Sequence, residues 1–129
     1  MKPLKIAINI QLPLGGKVGG AEQFLIGLIH GLGELLDSNE EYLLITSPQA
    51  VKWLKQYTGP NQQIIKNPFE AAKNADVLAL VTEWPEFSEI DMKRIRKLMR
   101  HPYFLDGRNQ FEPEEMKKLG FYYEGIGRK

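Results

Sequence analysis

Apolar and polar residues along this chain change period repeatedly, from short β-branched runs to stripes at helical spacing and back. Lys5 to Ile10 is a buried-strand run with a glycine-rich exit, and a helix is expected from about Gly20. In that helix Phe24, Leu25, Leu28, Ile29, Leu32, Leu35 and Leu36 fall on one face. Gly27 and Gly31 cost roughly 1 kcal/mol each in a helix interior, and their spacing predicts a flat patch lying close on a sheet. Tyr42 to Thr46 is the second strand; Ser47-Pro48 opens a helix that Gly59-Pro60 ends. Gln63 to Ile65 is the third strand, and Asn67-Pro68 with Glu70 has the form of a capping box. Asp76 to Thr82 (DVLALVT) is the strongest buried strand of the chain. Ser88 with Asp91 caps a helix carrying Ile95, Leu98 and Met99. Tyr103 to Leu105 is the fifth strand, Pro113 to Leu119 a helix stopped by Gly120, and Phe121 to Ile126 the last strand.

Strict alternation of strands and helices predicts an α/β fold: a single Rossmann-like parallel sheet of about six strands with helices on both faces. The expected order is 3-2-1-4-5-6, with a ligand crevice beside the first and fourth strands. Strand exits at Ile10, Thr82 and Leu105 then open on one edge. Phe24, Leu28 and Ile29 are expected to share a core with Val77, Leu78, Leu80 and Val81.

Composition narrows the function classes. A chain of 129 residues, 43% hydrophobic and 26% charged, is one ordinary globular domain. Its net charge of +1 gives no reason to expect nucleic acid or an anionic membrane as partner. No arginine occurs in residues 1–65; all five lie beyond, at Arg94, Arg96, Arg100, Arg108 and Arg128. The absence of cysteine excludes disulfides, thiolate metal sites and a cysteine nucleophile, and fits a cytoplasmic setting. Met1 to Gly16 reads as strand and loop instead of a signal peptide, and Phe24 to Leu36 is too short to span a bilayer, so a soluble protein is expected. His30 and His101 have no metal-ligand spacing.

Three segments could carry chemistry. Gly15-Gly16-Lys17-Val18-Gly19-Gly20 lies between a strand and a helix, where glycines let backbone approach a phosphate and Lys17 supplies charge. It is neither a dinucleotide fingerprint nor a Walker loop, and a flexible turn explains it equally well. Thr82-Glu83-Trp84-Pro85-Glu86-Phe87 leaves the strongest strand at its ligand-facing end, or else Trp84 and Phe87 roof the core. Asp106-Gly107-Arg108-Asn109 follows the fifth strand. There Gly107 permits a tight turn and Arg108 offers a planar fork to phosphate or ribose oxygens. A plain Asp-Gly turn with a solvated arginine is the alternative.

The strings NPFEAAKNADVLALVTEWPEF and FLDGRNQFEPEEMKKLGFYYEGIGRK make residues 64–129 resemble the C-terminal UDP-binding domain of the UDP-glucose/GDP-mannose dehydrogenase family. Residues 4–48, with their GG-rich loop, resemble instead the opening of a family 4 GT-B glycosyltransferase, placing a seam of two resemblances near 64–67. The resemblance implies that Arg108 contacts a UDP-sugar, with Asp106, Gly107, Thr82, Glu83, Trp84, Lys17, Gly15, Gly16, Gly19 and Gly20 around it. The family's catalytic cysteine, its dinucleotide-binding domain and the FKPxTxDxRES-like motif of the UDP-binding domain's first half are absent here; QLPLGGKVGG stands in place of that motif. The resemblance therefore implies weak UDP or UDP-sugar binding without catalysis by this chain alone. No cofactor is expected here, with NAD belonging only to a complete dehydrogenase. A complete nucleotide-sugar enzyme or a second copy of the chain is the implied protein partner. Two alternatives are a glycosyltransferase fragment and an interaction scaffold that binds no nucleotide.

Overall fold

The computed structural model describes residues 4–10, 27, 28, 31, 40–46, 51–56, 58–81 and 90–125. Their elements run β1 (Leu4–Asn9), β2 (Glu40–Ile45), α1 (Val51–Leu54), β3 (Gln62–Ile65), α2 (Pro68–Ala72), β4 (Val77–Leu80), α3 (Met92–Leu98), β5 (Tyr103–Asp106), α4 (Pro113–Lys118) and β6 (Tyr122–Gly125). Residues 27, 28 and 31 are helical. The six strands form one sheet in the order β3-β2-β1-β4-β5-β6. Every neighbouring pair is parallel, as strand–helix alternation requires. The predicted order holds.

Local chemistry fixes the helix ends. Asn67 caps α2, its side-chain oxygen accepting from the Phe69 N–H at 2.9 Å, with Pro68 opening the helix. Asp91 caps α3 in the same way, accepting from the Arg94 N–H at 3.2 Å. The Ser88 expected beside it lies outside the described residues. Helix α4 stops at Gly120, whose φ of 96° is left-handed and whose added Cβ would meet the Arg96 Nε at 2.9 Å.

The core is double. On one face Ala7, Leu43, Ile45, Ile65, Leu78, Leu80 and Phe104 pack beneath Ala71, Ala72, Met92, Ile95 and Met116 of α2, α3 and α4. On the other, Ile8, Ile10, Tyr42 and Leu44 pack with Leu54 of α1, joined by Ala79 and Val81. The single core expected for Val77, Leu78, Leu80 and Val81 is thereby split. Successive strand residues point to opposite faces, so Leu78 and Leu80 join one cluster and Val81 the other. Leu28 is half-buried; Phe24 and Ile29 lie outside the described residues.

The glycine patch also needs correction. Gly27 and Gly31 are exposed, and a Cβ built on either meets nothing within 4 Å, so they do not bring a helix onto the sheet. Gly27→Ala should therefore raise stability by up to about 1 kcal/mol in urea denaturation. Leu44→Ala and Leu78→Ala, one on each face of the shared sheet, should each cost about 2–5 kcal/mol. Both variants should unfold in a single transition, since every strand of the sheet is hydrogen-bonded to its neighbours; two resolved transitions would show two independent halves.

Candidate functional site

The parallel register aligns one row of residues across the carboxyl edge of the sheet: Ile65, Ile45, Asn9, Leu80, Asp106 and Gly125. Strand order reverses between β1 and β4, the switch point at which open α/β sheets bind ligands. Asn9 and Asp106 flank Leu80 in this row, two strands apart and so roughly 10 Å from each other. Both are buried, at 0% and 1% exposure. Thr82, Glu83 and Trp84, at the exit of β4, lie outside the described residues, as do Gly15, Gly16, Lys17, Gly19 and Gly20 after β1.

The loop after β5 is described in full. The Gly107 N–H donates to the Leu80 carbonyl at 2.8 Å, tying the loop to β4. Asp106 Oδ1 accepts from the Arg108 N–H at 3.1 Å, and Oδ2 accepts from the Phe111 N–H at 2.9 Å and the Tyr123 hydroxyl at 2.6 Å. Asn109 is held at a φ of 52°, a left-handed value that asparagine tolerates better than most residues. Arg108 is exposed and Gly107 half-buried. Of the three expected site residues on this loop, Arg108 thus faces outward, while the Asp106 carboxylate points inward and organises the turn. Behind the loop, a cavity of about 470 Å³ between α3 and α4 is lined by Ile90, Met92, Phe111, Met116 and Leu119 among others.

A second buried aspartate sits at the opposite, amino edge. Asp76 accepts from the Lys5 N–H at 2.8 Å, from Arg100 Nε at 2.7 Å and from a second guanidinium nitrogen of Arg100. His101 Nδ1 lies 2.8 Å from Asp76 Oδ1, the oxygen that also accepts from Arg100 Nε. The Arg100 hydrogen bonds, opposed by burial and helped by Lys5 and His101, hold the Asp76 carboxyl far below the usual carboxylate range. The same pair raises Arg100 above its ordinary value. Tyr42 donates to Glu40, and burial together with that carboxylate pushes its hydroxyl up to about 12. Sequence reasoning missed Asp76, Arg100 and Tyr123 as partners. The period of two in YYEG, which turns Tyr123 to the face of Asp106, was the one available signal.

Among the described residues no group of three or more His, Cys, Asp and Glu could hold a metal ion, and no helix is long and apolar enough to cross a membrane. A six-stranded sheet whose strand order reverses between β1 and β4 is a Rossmann-like α/β domain, the class that binds its ligands at the carboxyl ends of the strands where it binds any. The family model described as "UDP-glucose/GDP-mannose dehydrogenase family, UDP binding domain" matches residues 29–113, and the chain belongs to that family. The match reaches across the seam expected near 64–67. UDP-glucose 6-dehydrogenase of Pseudomonas aeruginosa is 50% identical over 62 residues, 48% of this chain and 14% of that protein. The enzyme of the same name from Rickettsia conorii is 26% identical over 99% of this chain and 33% of its own length. A UDP-D-ManNAc dehydrogenase structure from Pyrococcus horikoshii shares the fold, with a TM-score of 0.56 at 22% identity over 98% of this chain and 26% of that one. The chain thus spans between about a seventh and a third of the length of these relatives.

Asp76→Asn should lower stability at neutral pH by about 2–3 kcal/mol, less than the 3–5 typical of a fully buried pair because the Arg100 side chain is 33% exposed. A depressed folded-state value makes this stability complete above the unfolded carboxylate value of about 4 and lost as pH falls below it. Urea denaturation at pH 7 and pH 3 should show the wild type losing more stability on acidification than Asp76→Asn.

Proposed function

We propose that this domain binds UDP or a UDP-sugar at the carboxyl edge of its sheet, with Arg108 as the principal charge partner of the ligand. The observation that carries this reading is the turn built on Asp106, which presents an exposed arginine beside the strand-order switch. A guanidinium forms paired, charge-assisted hydrogen bonds with phosphate oxygens. Family membership supports the same ligand class. The resemblance of residues 4–48 to a glycosyltransferase opening favours Lys17 and Gly15, Gly16, Gly19 and Gly20 as the diphosphate side of the site. Thr82, Glu83 and Trp84, leaving the adjacent β4, would face the sugar or ribose.

Oxidation of a UDP-sugar by this chain alone has no support, since it contains no cysteine and no dinucleotide fingerprint. NAD would belong to a complete dehydrogenase, and a complete nucleotide-sugar enzyme, or a second copy of this chain, is the protein partner consistent with family membership. The cysteine-free composition supports a cytoplasmic setting.

Calorimetric titration with UDP, UDP-glucose and NAD tests the proposal. Weak heats are expected with the two uridine compounds and none with NAD. Arg108→Ala should lower UDP affinity about tenfold or more, because a charge-assisted hydrogen bond contributes roughly 1.5–3 kcal/mol and 1.4 kcal/mol is one decade. Flat titrations of the wild type with millimolar UDP would overturn the proposal and leave an interaction scaffold.

A further inference from the structure

We propose that Tyr123 and Asp106 are positioning residues that set the aim of Arg108. The inference rests on the UDP-binding reading above and concerns how the arginine is held before any ligand arrives.

The loop from Gly107 to Phe111 is fixed at its start, middle and end. Gly107 is tied to Leu80 of β4, Arg108 to Asp106 Oδ1, and Phe111 to Asp106 Oδ2. The Asn109 N–H closes the turn onto the Asp106 carbonyl at 3.4 Å. Tyr123, one strand away on β6, places its hydroxyl 2.6 Å from Asp106 Oδ2 and 2.9 Å from the Phe111 carbonyl oxygen, so its single hydrogen is shared between two acceptors. One phenol thereby touches both the carboxylate that organises the turn and the backbone where the loop ends. The ring that carries it is itself confined. It stacks on Phe104 with centroids 5.8 Å apart at 27°, and Phe104 meets Phe111 edge-on at 5.4 Å.

A buried carboxylate is unfavourable unless its oxygens are hydrogen-bonded. Here the side-chain partners of Asp106 are two loop N–H groups and the phenol, with no cation among them. Their common effect is to fix the backbone on both sides of an exposed guanidinium. An arginine whose backbone is already ordered loses less freedom on binding, which raises affinity without adding a contact. Tyr123 accordingly touches no ligand and acts through the loop.

Tyr123→Phe keeps the ring and removes one oxygen. It should weaken UDP binding about threefold to tenfold in calorimetry when Arg108 is present, and less than about twofold in an Arg108→Ala background, because residues acting as one unit are not additive. Amide hydrogen exchange at Arg108 and Phe111 should accelerate about tenfold or more as the loop opens locally. Asp106→Asn, which keeps the shape and removes the charge, should change the same two amides. Equal loss of affinity in both backgrounds, or unchanged exchange at Arg108 and Phe111 in Tyr123→Phe, would overturn the positioning role. If wild-type UDP titrations are flat, the ligand reading fails by itself, and the exchange rates alone decide whether Tyr123 holds the loop.

Discussion

The pairing of β1 with β4 is the constraint on which the rest depends. β1 bonds β2 on one side and β4 on the other, so the first three strands grow one way and the last three the other. In open α/β sheets such a reversal marks the place at the carboxyl ends of the strands where ligands bind. The pairing is clamped at its amino end, where the Asp76 N–H donates to the Lys5 carbonyl at 2.8 Å while the Asp76 carboxylate accepts from the Lys5 N–H. The Arg100 and His101 N–H groups both donate to the Ala75 carbonyl, drawing the approach to β5 onto the same corner. The expected seam near 64–67 thus falls inside one hydrogen-bonded sheet.

Two buried aspartates therefore serve opposite ends of the strands for different reasons. Asp76 is matched with Arg100 and His101, cations or potential cations drawn from the segment before β5, and its role is to hold strands. Asp106 is surrounded by loop N–H groups and a phenol, and its role is to shape backbone. Arg108, whose N–H is one of those donors, is exposed at the edge where ligands bind in this fold.

The fold was readable because its signals are local. DVLALVT is long and apolar enough to be a buried central strand, Asn67-Pro68 and Asp91 mark helix starts by capping chemistry, and Gly120 marks a stop by its left-handed φ. Strict alternation then leaves few topologies, and the observed order is one of them. Facing was harder to read. Gly27 and Gly31 have the spacing of a packed patch, yet spacing alone does not say whether a helix turns such a stripe inward. The split of Leu80 from Val81 between two cores likewise depends on where the strand pleat begins.

The site was partly legible for the same reason. Arg108 stood out because a glycine and an asparagine flank it in a turn after a strand. The strand alternation of β5 turns Asp106 inward, but its hydroxyl partner Tyr123, 17 residues later, is brought to it by the β5–β6 pairing. The central claim, a uridine-diphosphate site at the carboxyl edge framed by that loop, is tested most directly by mapping amide chemical shifts of the isotope-labelled chain as UDP is added. Among the described residues, the account predicts perturbations concentrated at Gly107, Arg108, Asn109 and the neighbouring ends of β1 and β4, with Lys5, Asp76 and Arg100 at the amino edge unmoved. Shifts centred on the amino edge, or no shifts at millimolar UDP, would contradict it.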